Sequence, residues 1–69
     1  MKFSAFLAIV HRHGFTLQRT RGSHRTYRGT VDGMTRIVTV ACHRESDDIK
    51  PKTLASMIRQ TGLPKRLFR

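Results

Sequence analysis

In the stretch Arg21-Gly22-Ser23-His24-Arg25-Thr26-Tyr27-Arg28, His24 is the one uncharged side chain able to take or give a proton near neutral pH. Arginines at 21, 25 and 28 surround it. An arginine stays charged and presents a planar fork of donors that fits phosphate oxygens. A proton-transfer group in such a cationic field points to chemistry on phosphate. The other reading of His24 is an exposed turn residue with no reactive role. Gly22 permits a sharp bend, because it has no Cβ to clash at positive φ. Ser23 can bond the local backbone. His24 therefore stands where a turn meets a strand.

Other chemistry-bearing residues are few. His43 closes a later strand, either as a second acid or base near His24 or as a strand-end residue in solvent. Glu45, Asp47 and Asp48 form the one acidic cluster. Metal-dependent nucleases gather carboxylates around hard cations. These three sit beside Arg44 and Lys50, and charge balance and helix N-terminal electrostatics account for them. His11 and His13 do not share a helix face and make a poor metal pair. Cys42, the single cysteine, allows no internal disulfide and no cysteine zinc cluster. It reads as a packing residue at a strand end. The expectation is a site without metal and without a small-molecule cofactor.

The chain has 69 residues, enough for one small domain. Such a chain buries only about 60% of its unfolded surface. Lys and Arg number 14 against 4 for Asp and Glu, a net charge of +10. That charge attracts polyanions. The longest apolar run, Ala5 to Val10, is far too short to span a bilayer of roughly 30 Å. It breaks at His11-Arg12-His13 without a small-residue cleavage site, which argues against a signal peptide. A cytoplasmic protein without a membrane partner is expected.

Phe3, Phe6, Leu7 and Val10 recur at helical spacing, with Ile9 at the border and Ser4 as a possible cap. Gly14 suits the position just past the helix end. Phe15 to Arg19 alternates with the strand period. A second strand runs from His24 to about Thr30. Asp32-Gly33 signals a hairpin, and Thr35 to Ala41 is rich in β-branched residues. Pro51 suits a helix first turn. Leu54, Met57 and Ile58 form its stripe, and Gly62 ends it. Pro64 opens a last turn that brings Leu67 and Phe68 back to the core.

Burial tests the register. A two-residue loop at Asp32-Gly33 sets Tyr27 opposite Val38 and Thr26 opposite Thr39. A three-residue loop at Arg21-Gly22-Ser23 sets Leu17 opposite Tyr27 and Phe15 opposite Gly29. One face then holds Phe15, Leu17, Tyr27, Val38 and Val40. The other holds Thr16, Gln18, Thr20, His24, Thr26, Arg28 and Thr39. A one-residue slip would mix the sets. Ile37 falls on the polar face, which would suit a longer Asp32-Gly33 loop. The expected fold is α+β, in the order α-β-β-β-α. Its three-stranded antiparallel sheet carries both helices on one face.

These residues carry a family resemblance over nearly the whole chain. His13-Gly14-Phe15, Gly22-Ser23-His24 with Tyr27, Asp32-Gly33 and Val38-Thr39-Val40 with His43 are similar to the HicA-type mRNA interferase toxins. So are Ile49-Lys50-Pro51, Thr53-Leu54, Ile58-Arg59-Gln60 and Gly62-Leu63. This family, also called YcfA-like, belongs to bacterial toxin–antitoxin pairs. Ala41 stands where the family often has proline, and Lys52 where it often has glycine. The hairpin at Asp32-Gly33 is somewhat longer than usual. None of these departures touches the Gly-Ser-His turn.

The resemblance implies a single HicA-like toxin domain over residues 1–69 with a double-stranded-RNA-binding-domain-like fold. It implies a ribonuclease acting on mRNA, and inhibition by a HicB-type antitoxin protein. His24 matches the family's catalytic histidine. Around it, Arg21, Gly22, Ser23, Thr26 and Arg28 are the expected RNA-binding residues, and His43 is the candidate second acid or base. A non-catalytic RNA-binding module of the same fold is the alternative, since such modules read duplex shape and 2′-OH groups without acid–base residues. A DNA-binding regulator lacks a recognition helix, because the second helix carries only Lys52 and Arg59 as basic residues.

Overall fold

Phe3, Phe6 and Val10 sit on one side of a helix and are buried there, which fixes the first element, α1 (Phe3–Arg12). The computed structural model describes all residues, 1–69. After α1 come three strands, β1 (Thr16–Arg21), β2 (His24–Val31) and β3 (Met34–Ala41), then α2 (Pro51–Thr61) and a short 3-10 turn over Lys65–Phe68. The sheet is antiparallel with β2 in the centre. Val38 and Val40 of β3 are fully buried, in one core with Phe3, Phe6 and Val10 of α1 and Met57 and Ile58 of α2. Both helices therefore cover the same sheet face, as the alternation predicts. Phe68 closes the core with its ring stacked on Phe6, 5.2 Å between centroids.

The helix ends correct one expectation. Ser4 does not cap α1; it lies inside the helix, whose cap position is Lys2, two residues earlier, without a side-chain cap. Its free N–H groups are met by the acidic loop instead. Phe3 N–H donates to the Asp47 carbonyl at 3.0 Å and Ser4 N–H to the Glu45 carbonyl at 2.8 Å. Backbone carbonyls of the acidic loop thus satisfy the N-terminus of α1, while the loop's carboxylates pair with Lys2, Arg25 and Arg44. Cys42 and Ile49 are buried at the two ends of that loop and anchor it to the core. At the other end of α2, Gly62 takes the left-handed conformation with φ 71°.

The β2–β3 hairpin turns through Asp32 and Gly33 with φ of 53° and 77°, the two positive angles a type I′ turn requires. Its register pairs Tyr27 with Val38 and Thr26 with Thr39. Ile37 does not mark a longer loop: it pairs with Arg28 and is 47% exposed on the open face. The β1–β2 hairpin differs from the expected one. Arg21 pairs with His24, so the turn is the two residues Gly22-Ser23, with positive φ at Gly22. Leu17 still pairs with Tyr27, because a β-bulge between Leu17 and Arg19 adds one residue to β1. Thr20 consequently pairs with Arg25 and leaves the face expected for it. Leu17 lies on the helix side but at its margin, 50% exposed.

Candidate active site

Directly paired residues of neighbouring strands share a face. Val38 and Val40 face the helices, so the alternate positions make the open face. It consists of cross-strand rows. Arg21, His24 and Ala41 form the first, Arg19, Thr26 and Thr39 the second, and Thr16, Arg28 and Ile37 the third. Successive rows are two residues apart, roughly 7 Å along the strand.

His24 heads the first row, exposed, with arginine on one side and alanine on the other. The ladder runs on past it: Cys42 N–H donates to the Ser23 carbonyl at 2.8 Å. That bond fixes the turn residue Ser23 against the end of β3, and with it the start of the strand that carries His24. His24 and Ala41 then form a non-hydrogen-bonded pair, in which side chains lie closest. The small Ala41 methyl leaves that flank of the imidazole open. His43, two residues beyond Ala41, is exposed at the same end of the sheet.

The bulge decides which cations join His24. Without it, a regular alternation from Leu17 would put Thr20 on the open face and turn Arg19 and Arg21 away. With it, Arg21 lies directly across from His24 and Arg19 one row further on. Arg19 is not among the residues marked by the alternation. The signal for it was Gly22-Ser23 itself, a pair typical of two-residue hairpins. Such a turn is compatible with Leu17 opposite Tyr27 only if one strand carries an extra residue.

Gly22, Ser23 and Thr26 therefore gather with Arg21 and His24 at one end of the face. Arg28 shares the face but lies two rows from His24, roughly 13 Å along β2. Arg25 points the other way and binds Glu45, with 3.0 Å from guanidinium to carboxylate. Glu45 above all, and then Tyr27, raise its pKa further above the ordinary arginine value. Asp48 and Asp47 engage Lys2 and Arg44, each at 3.9 Å. No carboxylate pairs with Arg19, Arg21 or Arg28. Three free arginines on one flat surface, with a histidine among them, suit a polyanionic strand. No three side chains among His, Cys, Asp and Glu come together as a metal-binding group.

The fold and site define a small, strongly basic α+β domain that displays a histidine on the uncovered face of its sheet. The family model for the HicA toxin of bacterial toxin–antitoxin systems matches residues 3–63, and the chain belongs to that family. It is therefore the toxin of a toxin–antitoxin pair. No curated protein and no solved structure matches the chain. No helix is long and apolar enough to cross a membrane.

Proposed function

We propose that this toxin is an endoribonuclease that cleaves mRNA through His24 without a metal ion, and that a HicB-type antitoxin holds it inactive. The observation that carries the reading is the first row of the open face, where His24 stands directly across from the unpaired Arg21. RNA brings its own nucleophile, the 2′-OH. A base takes the 2′ proton, the 2′ oxygen attacks phosphorus, and the bond to the 5′ oxygen breaks. The 5′ oxygen leaves with a proton, so the products carry a 2′,3′-cyclic phosphate and a 5′-OH. His24 serves as the base or as the acid. Arg21 and Arg19 hold the phosphate oxygens as negative charge grows on them, the role that a metal ion fills elsewhere. Gly22, Ser23 and Thr26 line the same end of the sheet, and Arg28 binds the strand further along. His43 is the candidate for the second proton transfer.

The test is RNA cleavage by wild type and by His24→Ala and His24→Gln, each in excess chelator. Wild type is expected to cleave, and both variants to lose about 10²- to 10⁴-fold in rate, the contribution of a positioned acid or base. Glutamine keeps hydrogen bonding but cannot carry the proton. His24 is exposed, so its truncation leaves no cavity and the fold survives. Wild-type cleavage by folded His24→Ala, or loss of wild-type activity on chelation, refutes the mechanism. RNA binding without any cleavage by wild type supports the non-catalytic module instead.

A further inference from the structure

The third row of the open face borders a concavity of about 420 Å³ that no hydrophobic side chain lines. His13, Gly14, Thr16, Gln18, Arg28 and Thr30 surround it. It is a shallow, open depression with a wholly polar lining, the shape of a surface contact for a strand and not of an enclosed ligand cleft. It is built by three features: the end of α1, the bulge in β1, and the part of β2 furthest from the Gly22-Ser23 turn. His24 is not part of it.

The hydrogen-bonding capacity is divided between its two sides. His13 Nδ1 lies 2.9 Å from the Ile9 carbonyl. A carbonyl only accepts, so Nδ1 carries the hydrogen, and Nε2 is the ring's open position, an acceptor whenever it bears no hydrogen. Gln18 Nε2 donates to Thr16 Oγ1 at 3.0 Å. That bond leaves Gln18 Oε1 free to accept and the Thr16 hydroxyl hydrogen free to donate. Arg28 contributes unpaired cationic donors. The acceptor His13 lies at the C-terminus of α1, where the helix dipole is negative and disfavours an anion. A phosphate therefore belongs beside Arg28 and Thr16, and a neutral donor beside His13.

We propose that this concavity is a second subsite, which binds one ribonucleotide of the RNA strand away from the bond that is cut. Its phosphate lies on Arg28 and the Thr16 hydroxyl, and its 2′-OH donates to His13 Nε2. Roughly 13 Å along β2 from His24, the site is too distant to hold the reacting phosphate itself. A 2′-OH is what separates RNA from DNA at a contact, so the subsite selects ribose where the cleavage chemistry has no say. The inference rests on the RNA reading above but not on cleavage.

The experiment uses full-length His24→Ala protein, so that the RNA stays intact. A short oligoribonucleotide is walked with single 2′-deoxy substitutions and its Kd measured at each position. One position outside the step cut by wild type is expected to lose about 2- to 10-fold in affinity, the range of one net hydrogen bond. Adding His13→Ala should abolish the sensitivity at that position alone, and His13→Gln, which keeps an acceptor, should restore part of it. A flat walk, or a sensitive position that ignores His13, overturns the subsite. RNA that binds with this pattern but is never cut by wild type leaves the subsite standing and refutes the ribonuclease. Cleavage with a flat walk does the reverse, and equal affinity for an all-DNA strand refutes the ribose contact.

Discussion

Arg19 stands directly across the sheet from Thr26, one row from His24, because β1 carries one more residue than β2 between Leu17 and Arg19. The bulge aims two arginines at the histidine's face and turns Thr20 away from it. Bulges commonly re-aim side chains beside reactive sites. Arg19→Ala is expected to weaken RNA binding and to flatten its salt dependence by roughly 0.7 in log–log slope, the loss of one phosphate contact on a single strand. Thr20→Ala, one residue away, should change neither. Equal effects of the two substitutions would place β1 in a different register on the RNA.

Most of the architecture was legible because burial is periodic. Phe3, Phe6 and Val10 announce α1, and the alternation of Val38 and Val40 fixes which way β3 faces. The Asp32-Gly33 turn locks Tyr27 to Val38. The β1–β2 hairpin was legible only in part. Leu17 opposite Tyr27 holds at one end, but two different loops satisfy it: three residues and no bulge, or two residues with one. The apolar pattern cannot choose, since residues 18–21 are all exposed. His24 itself was marked by its type and its turn. The cations that share its face depend on the bulge, which leaves no hydrophobic trace.

Gly29 lies beneath the ring of Phe15. A Cβ at this position would come within 2.7 Å of the ring carbons, and Phe15 is only 1% exposed, so the ring has nowhere to move. Gly29→Ala should cost about 1–3 kcal/mol, the usual penalty for overpacking. A urea titration read by circular dichroism measures it. Because Gly29 follows Arg28, the strained variant should also weaken the second subsite more than the His24 end.

Cys42 sets a pH dependence on stability. Burial pushes its thiol above the ordinary value near 9.0; Arg25 opposes the shift, and Glu45 and Asp47 add to it. As pH rises, the unfolded chain releases this proton first. Above about pH 9 the unfolded state then binds fewer protons than the native one, so stability falls as pH rises through that window and is unaffected below it. Wild type is expected to lose denaturant midpoint as pH rises above about 9, the ordinary thiol value. Cys42→Ala, less stable at neutral pH, should lose less, so the gap between them narrows. Parallel curves for the two proteins would mean that the thiol does not carry the effect.

Inhibition by the proposed antitoxin should follow from charge and from a single apolar side chain. Arg19, Arg21 and Arg28 have no carboxylate partner within the chain. An acidic partner surface would steer onto that face, with association slowing as salt rises. Ile37, half exposed in the same row as Arg28, is the one large apolar residue there. A polyanionic RNA strand gains little from it, whereas a protein interface can bury it. Ile37→Lys should therefore weaken the antitoxin complex while leaving RNA binding equal or stronger, since it adds a cation. Covering the first row would also shield His24, so its modification by diethyl pyrocarbonate should slow sharply in the complex. If His24 stays as reactive as in the free toxin, the antitoxin acts further along the sheet, by excluding the RNA rather than by masking the histidine.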